Sequence, residues 1–258
     1  MGALHAGHSS LIRRAREDRD VVVVSIFVNP LQFAGGTDLD RYPRDEARDL
    51  EVCASLGVDV VWAPSVEQMY PPDLVLAKPD PGPVGALFEG ASRPGHLQGV
   101  LKVVHRLFDV VGPTVAYLGE KDAQQLFVIR RMVAGEAMPV EIVACPTVRE
   151  PDGLALSSRN AALGPDERDQ AGCLFLGLTE AAALVRAGES DVHALVASVA
   201  REVGATPLAR LDYAAIVDED TFLPARESDR PVRALVAATF PSARLIDNLA
   251  LPERRGGS

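Results

Sequence analysis

Two histidines flank a glycine where the chain enters its first helical stretch: Met1-Gly2-Ala3-Leu4-His5-Ala6-Gly7-His8. His-x-Gly-His at a helix start has the chemistry of a phosphate site. Gly7 lets the backbone come close to a phosphate. The unpaired N–H groups and the positive dipole end of a helix favour an anion there. The two imidazoles can donate hydrogen bonds to phosphoryl oxygens as charge develops on them.

Further polar clusters fall where strand-like runs end. Asn29 and Gln32 follow one such run. Gly119-Glu120-Lys121-Asp122 follows another, with Gln124 and Gln125 just beyond. Thr147, Val148 and Arg149 follow a third. Lys121 can neutralise a phosphate, and Asp122 can accept from a ribose diol. Gln32 and Gln125 can hold hydroxyls or a carboxylate without adding charge. Leu156-Ser157-Ser158-Arg159-Asn160 follows an Asp152-Gly153 turn signal. Two hydroxyls and a guanidinium in succession suit a polyphosphate tail, although Ser157 in isolation reads as a helix cap. His96, His105 and His193 read as structural. Asp38, Asp40, Asp45, Glu46 and Asp49 could hold Mg²⁺, but scattered carboxylates usually just face solvent. The arginines between 13 and 19 are interleaved with Glu17, Asp18 and Asp20, as on a solvated face.

The elements that must position these groups follow from periodicity. Residues 8–19 read as an amphipathic helix. The β-branched run Val21–Val28 reads as a strand buried on both faces, hence part of a parallel sheet. A helix over 44–56 and a strand over 58–63 follow. Residues 64–95, rich in Pro and Gly, read as loop with short helical turns. Then come a helix over 99–111, a strand over 114–118, a helix over 122–135 and a strand over 140–145. This alternation predicts one open parallel sheet with helices on both faces. Ligands of such sheets bind beyond the carboxyl ends of the strands. After Pro146 the order changes. Helices over 165–187 and 191–204 precede strands over 211–217, 232–239 and 243–248, the pattern of a small α+β domain. The expected division is therefore residues 1–147, a Rossmann-like binding domain, and 148–258, a smaller domain that can act as a lid.

Composition narrows the function. The 258 residues can bury a large core, and 47% are hydrophobic. A formal net charge of -10 argues against nucleic acid and suits small-molecule chemistry. Three cysteines, Cys53, Cys145 and Cys173, stand far apart with no CxxC pair, which speaks against a zinc site or a disulfide framework and fits a cytoplasmic location. No apolar run approaches a membrane span, and no signal-peptide pattern is expected at the start.

Taken in order, six motifs resemble those of the pantothenate synthetase (pantoate–β-alanine ligase) family. They are Met1–His8, Ser25-Ile-Phe-Val-Asn-Pro-Leu-Gln-Phe33, Arg41-Tyr-Pro-Arg44, Gly119-Glu-Lys-Asp-Ala-Gln-Gln125, Pro146-Thr-Val-Arg-Glu150 and Leu156-Ser-Ser-Arg-Asn160. The resemblance implies a ligase in which the carboxylate of (R)-pantoate attacks the α-phosphate of ATP. The amine of β-alanine then displaces AMP from pantoyl adenylate, with Mg²⁺ accompanying the ATP phosphates. It implies that Met1, Gly2, Ala3, Leu4, His5, Ala6, Gly7 and His8 bind ATP, with His5 and His8 catalytic and His8 the proton donor. Gly119, Glu120, Lys121, Asp122, Val148, Leu156, Ser157, Ser158 and Arg159 would complete the ATP contacts, and Gln32 and Gln125 would bind pantoate. A HIGH-type nucleotidyltransferase fold and a cytoplasmic homodimer are implied as well. The chain departs from the family pattern at Leu156, where Met is common, at Ala123, where Tyr is common, and at Leu97, where Phe is usual. Family members also carry a strand ahead of the Met-Gly. Its absence here predicts an upstream start, with a truncated, impaired member as the alternative reading.

Overall fold

The computed structural model describes residues 2–32, 44–227 and 230–253. Met1, Phe33, Asp38, Asp40 and Arg41–Pro43 lie outside the described residues. The chain divides into two compact units, Met1–Pro146 and Thr147–Ser258.

In the first unit, helix α1 spans Ala6–Asp18 and opens at His5, whose extended backbone and side chain cap it. Ile12 and Ala15 face inward with Leu4, Val22, Val24 and Cys53. Arg16 does not sit on a merely solvated face. Its guanidinium donates to the Gly57 carbonyl at 3.1 Å, to Asp59 Oδ2 at 2.6 Å and to the Arg19 carbonyl at 2.5 Å, stapling the end of α1 to a distant turn. Strand β1 (Val23–Ser25) pairs in parallel with β2 (Val60–Trp62), Val23 opposite Val60. Between them lies helix α2 (Glu46–Ser55), capped by Asp45.

Short helices α3 (Val66–Met69) and α4 (Glu89–Ser92) break the Pro/Gly-rich stretch. Helix α5 (His96–Val111) buries Leu97, Val100, Leu101 and Val103. Strand β3 (Val115–Gly119) leads through a 3-10 turn at Glu120–Asp122 into α6 (Ala123–Gly135), and pairs in parallel with β4 (Glu141–Cys145).

Two expectations need correction here. The predicted single open sheet is two separate parallel pairs, β1–β2 and β3–β4; no ladder joins β1 to β3 among the described residues. Side chains link the pairs instead: Tyr117 packs against the α1/β1 core and its hydroxyl donates to Asp18 at 3.1 Å. The run Val21–Val28 is likewise not a strand buried on both faces. Only three of its residues form β1. Val22 and Val24 are each 5% exposed, whereas Val21 is 66% and Val23 38% exposed. The core covers one face only, so burial alternates with the pleat.

The second unit is an antiparallel sheet, in order β5 (Arg210–Asp218), β6 (Val232–Thr239), β7 (Arg244–Ala250), with a register irregularity between Leu211 and Tyr213. Helices α7 (Pro165–Gln170), α8 (Cys173–Arg186) and α9 (Val192–Gly204) precede it. The stretch expected as one helix over 165–187 is therefore two, interrupted at Ala171–Gly172. Leu174, Leu178, Leu195, Val199 and Val203 from the helices form one core with Ile216, Val236 and Phe240. The molecule is thus a mixed α/β chain with parallel pairs first and a small antiparallel sheet last. Among the described residues, no helix is long and apolar enough to cross a membrane.

Candidate active site

His5 and His8 are joined by a reciprocal cap. The Gly7 amide donates to His5 Nδ1 at 3.2 Å, and the His5 amide donates to His8 Nδ1 at 3.3 Å. The ring centroids lie 4.1 Å apart. Each Nδ1 therefore accepts, so the proton of each neutral ring resides on Nε2. Burial, with the neighbouring His5, pushes His8 down to about 3; burial and then Lys121 lower His5. At neutral pH the pair is uncharged, each ring carrying one N–H donor.

Lys121 and Asp122 act electrostatically on both histidines, so the fold brings the Gly119–Asp122 turn to the start of α1. Lys121 Nζ lies 3.7 Å from Asp122 Oδ1. A neutral donor pair beside a cation can meet charge growing on a phosphoryl oxygen without requiring a proton transfer from an imidazolium.

Gln32 closes a 3-10 turn, Pro30–Gln32, that follows β1. Its position is fixed from three sides. His96 Nδ1 contacts the Gln32 carbonyl at 2.9 Å, and Arg93 reaches His96 Nε2 at 3.2 Å. The guanidinium can only donate, so the ring bears its proton on Nδ1 and donates it to Gln32. Burial and then Arg93 lower the His96 pKa, which keeps this tautomer neutral. Asn29, 2% exposed, donates to the Gly99 carbonyl at 3.1 Å and accepts from the Leu31 amide and from Tyr70 at 2.8 Å. Gly99 approaches so closely that a Cβ there would lie 2.1 Å from the Leu31 carbonyl oxygen. The sequence places Asn29 beside Gln32 and reads His96 as structural, but does not show that the two support the Gln32 turn together.

The two glutamines at the start of α6 separate. Gln124 is buried; it accepts from the Glu89 amide at 2.9 Å and donates to the carbonyls of Val84 and Leu87 at 2.8 and 2.9 Å. Gln125 is half-buried, in the first turn of the same helix.

Within the second unit, Val148 accepts from the Leu156 amide at 2.9 Å, and Arg149 bridges Ala155. Arg149 is engaged internally: it forms a bidentate pair with Asp247 at 2.5 and 2.9 Å and stacks 4.0 Å over Phe175. Ser157 caps the turn Ser158–Ala162, its hydroxyl oxygen accepting from the Arg159 amide at 3.2 Å. Both readings of that serine are chemically compatible, since its O–H remains a donor. Asn160 Nδ2 donates to the Ala155 carbonyl, while its buried Oδ1 lacks a donor among the described residues, a position that a water or a ligand N–H or O–H would satisfy. His105 lies between Asp109 and Glu136, each at 3.0 Å, and the 98%-exposed His193 side chain meets Asp191.

Known proteins match this chain along nearly all of its length. The sequence model of the family described as pantoate-beta-alanine ligase matches residues 1–250. The pantothenate synthetase of Thermus thermophilus is 51% identical over 249 residues, covering 96% of this chain and 90% of the relative. That of Rubrobacter xylanophilus is 51% identical over 259 residues, covering 98% and 89%. A crystal structure of the Thermus thermophilus enzyme superimposes with a TM-score of 0.94 at 50% identity, covering 98% of this chain and 91% of that one. The Francisella tularensis pantoate-beta-alanine ligase, complexed with beta-gamma ATP and beta-alanine, matches with a TM-score of 0.76 at 35% identity, covering 97% and 87%. With the histidine pair, the Lys121 turn and the Ser-Ser-Arg run in the family's order, this chain belongs to the pantoate–β-alanine ligase family of enzymes.

Proposed function

We propose that the chain condenses (R)-pantoate with β-alanine through pantoyl adenylate. The pantoate carboxylate attacks the α-phosphorus of ATP and pyrophosphate leaves with the bond electrons. The β-alanine amine then attacks the acyl carbon, AMP departs, and the amine proton is lost to give the amide, pantothenate. The observation that carries this reading is the neutral, mutually capped pair His5–His8 beside Lys121, in a chain half identical to pantothenate synthetases along nearly its whole length.

In this reading His5 and His8 donate from Nε2–H to phosphoryl oxygens, and Lys121 balances the added charge. Met1, Gly2, Ala3, Leu4, Ala6 and Gly7 shape the nucleotide site with Gly119, Glu120 and Asp122. Gln32 and Gln125 orient pantoate. By their places in the family pattern, Val148, Leu156, Ser157, Ser158 and Arg159 bind the same nucleotide. Residues 1–147 form the Rossmann-like, HIGH-type part, which supplies the pantoate contacts, and 148–258 the smaller domain. A cytoplasmic homodimer belongs to the same reading.

Mg²⁺ enters as part of the substrate, MgATP. Two of the described carboxylates of the 38–49 stretch suit other tasks: Asp45 caps α2, and both oxygens of Asp49 already accept backbone N–H groups. Among the described residues no group of three side chains is arranged to hold a metal.

The test is a partial-reaction assay. Pyrophosphate release requires ATP and pantoate, and AMP release requires β-alanine as well. Equal AMP release without pantoate, or none with all three substrates, overturns the proposal.

A further inference from the structure

Asp49 is a carboxylate with 1% of its surface exposed, on a helix that carries no other part of the proposed site. Its Oδ2 accepts from the Ala3 amide at 2.9 Å, and its Oδ1 from the Leu4 amide at 2.6 Å. Two consecutive N–H groups converge on one carboxylate only if the chain between them turns sharply, and Ala3 supplies the turn at φ +51, unusual for a residue with a Cβ. The Leu4 side chain, 5% exposed, enters the core that contains Cys53, one turn along α2 from Asp49. A single helix face thus holds the segment by its backbone and by its side chain.

The next amide in the series is that of His5, which donates to His8 Nδ1. The N–H groups of residues 3, 4 and 5 therefore find their acceptors in order: the two oxygens of Asp49, then the His8 ring. Where Asp49 holds the first two amides, the third is placed, and with it the rotation of the His8 imidazole and the direction of its Nε2–H.

We propose that Asp49 is a positioning residue for His8: its carboxylate sets the backbone geometry from which the neutral His8 ring is aimed at the nucleotide. The proposal rests on the reading of His5–His8 as the adenylation site. It differs from general scaffolding, and the fold supplies a control. Asp59 also accepts a backbone amide, that of Val22 at 2.7 Å, and pairs with Arg16 at 2.6 Å. It anchors the same unit but does not lead to a histidine.

The experiment compares Asp49→Asn, Asp49→Glu and Asp59→Asn in the full chain. An asparagine retains one acceptor and turns an N–H₂ donor toward the second amide. A glutamate keeps both acceptors but displaces them by one carbon. With saturating substrates, both Asp49 variants are expected to lose about tenfold or more in kcat, with a smaller change in KM for ATP, the signature of misplaced catalytic groups. Asp59→Asn is expected to melt at a lower temperature with kcat within about twofold of the unsubstituted chain. ¹⁵N-histidine spectra report independently of turnover. They are expected to show His8 Nδ1 as an unprotonated acceptor in the unsubstituted chain, and to shift that signal in both Asp49 variants but not in Asp59→Asn. If Asp49→Asn does not fold, Asp49→Glu and the spectra carry the test. An unmoved His8 signal, or kcat losses equal in the Asp49 and Asp59 variants, overturns the proposal. If the unsubstituted chain releases no AMP while the His8 signal still moves, the adenylation reading fails and the positioning of His8 by Asp49 stands.

Discussion

A histidine that caps a helix with its neighbour's amide has little choice of tautomer. His8 accepts at Nδ1, and burial holds the ring neutral, so what it can offer a phosphate is hydrogen-bond donation from Nε2. Removing that donor with His8→Ala is expected to lower kcat by about 10²-fold or more, measured as AMP release at saturating substrate. The same burial has a consequence for stability. The His8 pKa is lowered in the folded chain to about 3 from an ordinary value of 6.5. Between those values the unfolded chain binds a proton that the folded chain refuses. This contribution is therefore fully present above pH 6.5 and is lost progressively as the pH falls toward 3. Denaturant titrations from pH 7 to pH 4 should show a shallower acid loss for His8→Gln than for the unsubstituted chain, by up to about 1.4 kcal/mol per pH unit. Equal slopes would mean that the ring titrates freely. The spacing of His5, Gly7 and His8 made the pair legible at a helix start, a position that favours anions whatever the fold. Its neutrality and tautomer were not legible, since they arise from burial and from one particular cap. Nor was the task of Asp49, whose partners lie 45 and 46 residues away in sequence.

The elements translate these residues into fixed distances, and two glycines stand where they do so with no room for a side chain. At Gly99, α5 presses on the turn that carries Gln32; a Cβ there would lie 2.9 Å from the Gln32 Cα. Gly99→Ala is expected to displace Gln32 and raise KM for pantoate at least about tenfold, with KM for ATP much less affected. Steady-state kinetics on the two substrates distinguish this from general damage, which would alter both. At Gly153 the backbone has φ +92, and a Cβ would sit 2.1 Å from the Phe175 ring, the same ring on which Arg149 stacks. The pair Arg149–Asp247 completes that block with side chains 17% and 3% exposed. Asp247→Ala strands a mostly buried guanidinium, and urea unfolding should show a loss of about 3–5 kcal/mol. Helices such as α1, α5, α6 and α9 were legible because an apolar face repeats with the turn. The break between α7 and α8 was not, because apolar spacing continues across it. In the sequence Arg149 is one of the polar groups that follow a strand-like run. Its partner on β7 is set by the folding of the second unit, which no local pattern encodes.

At the scale of the molecule, the two units are held together internally by different means, and this should appear in how they open. In Thr147–Ser258, the central strand β6 is paired on both edges, and Ala234, Val236 and Ala238 are fully buried against a single continuous core. In Met1–Pro146, among the described residues, every parallel strand is paired along one edge only, and Val21, Val23 and Val60 are exposed apolar positions. The change after Pro146 from βα alternation to helices followed by strands was visible in the sequence, because each class has its own order of elements. The separation of the parallel strands into two pairs was not, because a short β-branched run looks alike with one neighbour or two. Amide exchange requires the bond to open, and a strand paired on both sides within a dry core opens only with its whole unit. Hydrogen–deuterium exchange followed by mass spectrometry should therefore find β6, α8 and α9 slowest, and β1 and β2 faster by at least about tenfold. Because the proposed adenylation site draws on residues at the ends of β1 and β3 and the start of α1, MgATP with pantoate should slow exchange there while leaving β6 unchanged; binding to the folded state alone raises the cost of opening the region it contacts. Protection of β1 equal to that of β6 in the ligand-free chain would show that the parallel pairs are as firmly held as the antiparallel sheet, and would remove this account of the difference.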